Sequence, residues 1–364
     1  MAQIQLTGIR KSYGKETAVQ DLDLTVNSGD FLTILGPSGC GKTTTLRAIA
    51  GLEEPDEGEI RFGERVVFSR RQGVIIPPEN RNVGFIFQSY ALWPHMTVAQ
   101  NITLALKEKK ISPAEIESRL TKALEMVQME PYRNRYPSEL SGGQQQRVAV
   151  SRLIALESNI LLMDEPLSNL DTKLRTEMRA ELKRLHRELE ATTVYVTHDQ
   201  AEALTLSDIV VVMNEGLIMQ WGTPYDIYHN PQNLFVAEFI GEPRINFFKG
   251  KIINKEGLFK MDCIEILLPF NKELPSNSGN VIASVRPESI NISYKENKDW
   301  LKVRLKSIQP TGVNTILQVQ SGISEITLLQ PGFIRMEIDE PLWINFDPDS
   351  LNFFDEETGN NLNT

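Results

Sequence analysis

An apolar run, Phe31-Leu-Thr-Ile-Leu35, passes directly into Gly36-Pro-Ser-Gly-Cys-Gly-Lys42-Thr43, and this junction constrains the fold more than any other stretch. The second segment fits Gly-x-x-x-x-Gly-Lys-[Ser/Thr], a loop that wraps nucleotide phosphates. Phosphates need many donors at short range. Backbone N–H groups supply them where no Cβ blocks the approach, which accounts for Gly36, Gly39 and Gly41, with Pro37, Ser38 and Cys40 completing the loop. Lys42 reaches the β- and γ-phosphates as a point charge, and the Thr43 hydroxyl suits Mg²⁺. The run from Thr44 to Ala50 reads as a helix whose N-terminal dipole faces the anion. Strand, loop and helix in this order predict a nucleotide-binding α/β core with a place for Mg²⁺.

The 364 residues predict two domains, each large enough for its own core. A formal charge of −10 argues against a nucleic-acid surface. The two cysteines, Cys40 and Cys263, make no metal spacing and fit a reducing interior. The amino end has no charged-then-apolar signal pattern. No stretch reaches the roughly 18 apolar residues that span a bilayer, so any membrane role is expected to come through a partner.

Alternating residues over 3–35 predict strands joined at Tyr13-Gly14 and Asn27-Ser-Gly29. Two or three further strands are expected over 58–90, interrupted by a long connection from Phe68 to Arg81. From about 97 to 157 the period turns helical, and Asp171–Glu190 is an amphipathic helix. Ile160–Met163, Thr193–Thr197 and Ile209–Met213 are buried strands. Alternating strands and helices predict a parallel sheet with helices on both faces. Beyond residue 240, short alternating segments such as Phe248–Ile253, Val281–Val285 and Leu342–Phe346 lie among turn signals that include Pro275 and Gly279. They predict a second, small all-β barrel over 241–364, with a loose polar tail from Asp355.

Other motifs carry chemistry. Ile160-Leu-Leu-Met-Asp164-Glu165 delivers two carboxylates at the carboxyl end of a strand, where parallel sheets place ligands. Asp164 suits Mg²⁺ through water, and Glu165 suits orienting and deprotonating an attacking water. Leu140-Ser141-Gly142-Gly143-Gln144 opens the helix 145–157 and makes a second cluster of phosphate donors. One chain thus holds two phosphate cradles, and the economical explanation is that the second serves a nucleotide bound by another copy.

With Leu-Ser-Gly-Gly-Gln, the chain resembles the ATP-binding-cassette (ABC) ATPases over residues 3–240. The resemblance implies a P-loop NTPase fold with a RecA-like core and a helical subdomain at about 89–157, in a domain over 1–240. It places Tyr13 where an aromatic stacks on adenine, and Gln88 where a glutamine touches Mg²⁺ and the attacking water. It also places Asp171 in Ser168-Asn-Leu-Asp171, the loop that crosses the dimer interface, and His198 at the γ-phosphate. The implied machine is a homodimer with each ATP between residues 36–44 of one copy and 141–144 of the other.

The stretches Phe87–Val98, Gln144–Val150, Leu167–Arg175, Tyr225–Pro231 and Phe235–Gly241 look like ATPases of binding-protein-dependent importers. Gly241–Phe247 and Val285-Arg-Pro-Glu288 resemble the maltose/trehalose type, with its OB-like barrel. The long Arg70–Arg81 connection is reminiscent of ferric-ion importer ATPases, so ferric-ion and polyamine importers stay open beside carbohydrate. The resemblance implies two integral-membrane permease subunits and, indirectly, an extracytoplasmic solute-binding protein. It further implies a peripheral position at the cytoplasmic face of the inner membrane. A soluble cassette acting on DNA or ribosomes is the remaining alternative, and the negative charge runs against it.

Overall fold

The protein is described by a computed structural model over residues 2–253, 257–262, 267–271, 274 and 280–363. Cys263, Pro275 and Gly279 lie outside the described residues. The chain parts into two compact units, 1–224 and 225–364.

The first unit runs β1 (Ile4–Tyr13), β2 (Glu16–Val26), β3 (Phe31–Leu35), α1 (Lys42–Ala50), β4 (Glu57–Phe62), β5 (Arg65–Ser69), β6 (Val74–Ile75) and β7 (Val83–Ile86). There follow α2 (Val98–Glu108), α3 (Pro113–Met126), α4 (Gly142–Leu156), β8 (Ile160–Asp164), α5 (Thr172–Leu189), β9 (Thr192–Thr197), α6 (Gln200–Leu206), β10 (Ile209–Asn214) and β11 (Leu217–Gly222). Six strands form the central sheet in the order β11-β10-β3-β9-β8-β7, parallel throughout except for β11. Its inner strands are buried end to end because both faces are covered, which is why they read as unbroken apolar runs.

Alternate residues serve two cores. Phe31, Leu161, Met163 and Tyr195 pack with α2 to α5. Leu32, Ile34, Leu162, Val194 and Val196 pack with α1 and with residues of β1, β2, β4 and β5. Helices cover both faces as expected, but one face is shared. One face carries α1 together with a second, antiparallel sheet ordered β2-β1-β4-β5-β6, whose alternating strands turn their apolar side inward. The Phe68–Arg81 connection is itself structured. It contains β6, and its last residue, Arg81, is buried and donates to Ala48 O and Ile49 O at the carboxyl end of α1.

The second unit begins earlier than the expected boundary after residue 240. It takes in α7 (Pro224–His229) from Tyr225 onward and α8 (Leu234–Phe239), because buried Arg286 donates to Tyr228 O and Ala237 O and also bonds Ile240 O. Its strands are β12 (Asn246–Ile253), β13 (Leu258–Met261), β14 (Leu267–Pro269), β15 (Asn280–Val285), β16 (Ile290–Ser293), β17 (Leu301–Pro310), β18 (Asn314–Ser321), β19 (Ser324–Pro331), β20 (Pro341–Phe346) and β21 (Asn352–Asp355). They form two five-stranded antiparallel sheets, β14-β13-β12-β15-β21 and β16-β20-β17-β18-β19, around one apolar core. The tail expected to be loose is tied instead. Asn361 N donates to Gln232 O, and Leu362 N to Phe353 O.

Candidate functional site

The order β3-β9-β8-β7 puts the carboxyl ends of four parallel strands side by side, with Leu35 opposite Thr197, Asp164 opposite Val196 and Ile86 opposite Met163. Whatever follows each strand is delivered to the same edge. These are the glycine-rich loop after β3, His198 after β9, Asp164-Glu165 at the end of β8, and Gln88 just past β7. Sheet topology alone lines up residues scattered over more than half of the first unit.

Within the loop, Lys42 is buried and its ammonium donates to Gly36 O and Pro37 O, each at 2.8 Å. α1 begins at Lys42 with Gly41 as its N-cap, and no side chain caps it. In contrast, α2 to α6 are capped by Thr97, Ser112, Ser141, Asp171 and Asp199. The first N–H groups of a helix have no carbonyl four residues back, so Lys42, Thr43 and Thr44 keep donors suited to an anion. The glycines have different reasons from those the sequence suggested. A Cβ on Gly36 would lie 2.3 Å from Met213 O, and one on Gly41 would lie 2.2 Å from Ala18 O. Packing against the protein's own backbone forbids them. Gly39, at φ +81° and with nothing near its Cβ position, fits the original reason. Cys40 is buried, and burial pushes its thiol up, so it is a packed spacer.

The Thr43 hydroxyl donates to Asp164 Oδ1 at 2.8 Å, and Arg47 approaches Oδ2 at 3.8 Å. Burial pushes the Asp164 carboxyl above its ordinary range, with the Thr43 bond and Arg47 opposing and Glu165 adding to the rise. Among the described residues no group of three or more His, Cys, Asp or Glu is placed to hold a metal ion. A hydroxyl in contact with one carboxylate nevertheless fits Mg²⁺, which takes one or two carboxylates and completes its shell with phosphate oxygens and water. Thr43, Asp164 and the nearby Gln88 amide could hold it.

Glu165 sits at φ +44° and is fixed on both oxygens. Gln88 Nε2 donates to Oε2 at 3.0 Å, and His198 Nδ1 lies 3.1 Å from Oε1. A proton on Nδ1 serves that contact in either the neutral or the charged ring. The Ser168 hydroxyl donates to Glu165 O and Asn169 Nδ2 to Gln88 O, so the 168–171 loop braces both residues from behind. Asp171 itself caps α5 by accepting from Leu174 N. Tyr13, at the end of β1, is half exposed with Lys11 Nζ 5.3 Å above its ring, and burial of the remainder raises its hydroxyl pKa.

The signature lies elsewhere in the fold. α4 starts at Gly142, three residues before the expected start, and Ser141 and Gln144 form a reciprocal capping box. The side chain of Gln144 is thereby committed to Ser141 N, while the N–H groups of Gly142 and Gly143 have no intrahelical acceptor. A Cβ on Gly143 would meet Leu174 Cδ2 at 2.5 Å, so this glycine allows α4 to pack on α5. In the Phe87–Val98 stretch Trp93 is about half exposed, whereas Tyr90 is core.

Sequence reasoning missed a polar cluster behind His198. Glu202 is 2% exposed, and its Oε2 accepts from Tyr195 OH (2.8 Å) and Thr197 Oγ1 (2.6 Å). Burial pushes its carboxyl up. Arg175 bonds Asp199 and Leu170 O beside it. The spacing Asp199-Gln-Ala-Glu202 is a capping-box pattern and was the available signal. Asp199 does accept from Glu202 N, but the Glu202 side chain turns into the core.

A glycine-rich loop at an uncapped helix, a paired acid at the end of β8 and a separate Ser-Gly-Gly cradle define a P-loop nucleotide-binding ATPase. The ABC transporter family model matches residues 19–168, and the TOBE domain model matches 283–354. The chain is 41% identical to the trehalose/maltose import ATP-binding protein MalK of Thermococcus litoralis, covering 99% of both chains. It is 41% identical to the sn-glycerol-3-phosphate import ATP-binding protein UgpC 1 of Rhizobium johnstonii, over 99% of this chain and 96% of that one. It is 39% identical to an Fe(3+) ions import ATP-binding protein of Fusobacterium nucleatum, over 99% and 95%. A solved ATP-binding cassette, dimeric in a post-hydrolysis state with ADP and Pi, matches with TM-score 0.54 and 32% identity, over 61% of this chain and 98% of that one. The chain belongs to the ATP-binding-cassette family, among the ATP-binding subunits of import systems.

Proposed function

We propose that this chain is the ATP-hydrolysing subunit of a carbohydrate importer, acting as a homodimer beneath two membrane permease subunits. The observation that carries the proposal is the row at the sheet edge, where Lys42, Thr43, Asp164, Glu165, Gln88 and His198 converge. Full-length relatives named for trehalose/maltose, sn-glycerol 3-phosphate and oligosaccharide import support the solute class. Lys42 and the N–H groups at the start of α1 bind the β- and γ-phosphates, and Tyr13 faces the adenine. Glu165, aimed by His198 and Gln88, takes a proton from water as its oxygen bonds the γ-phosphorus and the bond to the ADP oxygen breaks. His198 also contacts the γ-phosphate. Thr43, Asp164 and Gln88 would hold Mg²⁺, which would supply charge neutralisation to the transferring phosphoryl group. Ser141, Gly142 and Gly143 of the second copy complete the cradle, with Gln144 holding Ser141 in place and Asp171 at the copy-to-copy junction. ATP joins the copies because its γ-phosphate serves donors from both.

Peripheral attachment at the cytoplasmic face of the membrane is part of the same proposal; among the described residues no helix is long and apolar enough to cross a membrane. Exposed Trp93 is an aromatic available to a permease helix, and an extracytoplasmic binding protein would deliver the solute. Capture of partners from a membrane extract, identified by mass spectrometry, tests the reading. Permease subunits support it, and ribosomal or DNA-repair proteins would sink it. A ferric-ion importer is the second reading, favoured by the Fusobacterium relative. ATPase stimulation in the captured complex by a sugar-loaded or an iron-loaded binding protein separates the two.

A further inference from the structure

The first turn of α5 touches several parts of the machinery at once. Asp171 caps it, and Leu174 packs against the signature glycine Gly143. Arg175, one residue on, carries a guanidinium that spans two segments. Nη2 donates to Leu170 O at 3.1 Å, and Nη1 donates to Asp199 Oδ2 at 3.2 Å. Its third nitrogen, Nε, is buried without a hydrogen-bond partner and lies 3.9 Å from Glu202 Oε1. The other oxygen of Glu202 is taken by Tyr195 and Thr197, and the Thr197 hydroxyl in turn accepts from Asp199 N at 3.0 Å. Residues on both sides of His198 are thus pinned to this cluster, while the His198 side chain projects outward, 58% exposed, to meet Glu165.

We propose that Arg175 is a positioning residue that fastens the first turn of α5 to the His198 turn. The hydrolytic row of one copy's own site and the signature it lends to its partner's site then move as one piece. This rests on the shared-site reading above and adds the part of a single chain that joins the two sites. The chemistry favours arginine. Its planar fork serves Leu170 O and Asp199 together while its charge faces two carboxylates, and lysine, a point charge, cannot span both. A purely structural ion pair would hold the fold and leave catalytic geometry alone. This one ends on the residues that flank and brace His198 and Glu165.

Steady-state ATP hydrolysis by the full-length chain tests the proposal. For Arg175→Gln the expected result is a kcat lower by about 10- to 100-fold, the usual consequence of misplacing a catalytic group by about an ångström. KM for ATP should stay within about twofold, because the phosphate loop and Tyr13 are not among Arg175's bonded partners. Glu202→Gln is the second variant. Its amide oxygen can keep both hydroxyl bonds while its NH₂ turns toward Arg175, so it should reproduce the kcat loss with the fold intact. Arg175→Lys should recover only part of kcat, and the double variant should be no worse than Arg175→Gln alone. Wild-type kcat in Arg175→Gln, a raised KM with kcat unchanged, or additive losses would overturn the proposal. An unsubstituted chain that hydrolyses no ATP, or a Glu165→Gln chain that hydrolyses it normally, would overturn the functional reading instead, and this inference with it.

Discussion

Replacing Gly41 by alanine separates two reasons for a glycine in a phosphate loop. At this position φ is +101°, and an ideal Cβ would lie 2.2 Å from Ala18 O and 3.3 Å from Val19 Cγ2. The obstacle is backbone of β2, which is held in the antiparallel sheet by β1 and cannot swing away as a side chain could. Strain at a conformation that L-residues rarely adopt costs about 1–3 kcal/mol. Overpacking adds a further ~1–3 kcal/mol. For a unit of this size, about 2–6 kcal/mol corresponds to a melting temperature lower by roughly 5–20 °C. Gly39→Ala is the control. Its φ of +81° carries similar strain, but nothing lies within 4 Å of its Cβ position. Its melting temperature should fall by only the strain share, roughly 2–10 °C, while its exposed methyl obstructs phosphate. The assay is thermal unfolding of both variants without nucleotide, following the transition that ATP raises in the wild type, together with ATP binding by titration. If Gly41→Ala melts with the wild type, or above Gly39→Ala, the packing argument is wrong.

Glu165→Gln should bind ATP and dimerise with it while kcat falls by about 10²- to 10⁴-fold. Wild-type turnover would remove Glu165 from its role. Lys42→Ala mixed with Ser141→Arg should regain part of the activity through one intact composite site per heterodimer. No rescue, with heterodimers shown by native mass spectrometry, would refute the shared site. Asp164→Asn should abolish hydrolysis yet stabilise the nucleotide-free chain. The wild-type carboxyl is held above its ordinary 3.8 by burial, so the folded state binds the extra proton, and stability drains away as pH rises through and beyond that value. Melts of both proteins across this range should diverge with rising pH in favour of the variant, and parallel curves would contradict the sign.

The inner strands were legible because burial on two faces writes an unbroken apolar run, as in Phe31–Leu35 and Ile160–Met163. Less legible was what covers the second face. Strands β1, β2 and β4 alternate, but alternation does not say which element they pack on. In the second unit the shortest strands escaped notice, since Leu267–Pro269 and Ile290–Ser293 are too brief for a period to show. The row at the sheet edge was legible because each motif sits at a strand end, and the sheet order β3-β9-β8-β7 brings those ends together. Arg175 and Glu202 left no comparable mark. Their contact joins α5 to α6 across the end of β9, and no local spacing encodes it. For Tyr90 and Trp93 the sequence does not separate core from surface, and the structure does: the Tyr90 ring is buried, Arg152 donates to the Tyr90 carbonyl from α4, and Trp93 is about half exposed.

Most side chains assigned to the nucleotide already have partners within the chain, whereas the N–H groups of Lys42, Thr43, Thr44, Gly142 and Gly143 have no intrahelical acceptor. Lys42 bonds its own loop carbonyls, Thr43 bonds Asp164, Glu165 holds Gln88 and His198, and Ser141 is boxed with Gln144. At those side chains a nucleotide exchanges hydrogen bonds instead of adding them, and each exchange nets only about 0.5–1.5 kcal/mol. Under the shared-site reading this matters for transport. Pre-paired side chains narrow the free-energy gap between the open and closed arrangements, so the γ-phosphate, through its differential contacts with the free N–H groups of two copies, shifts the population and its departure shifts it back.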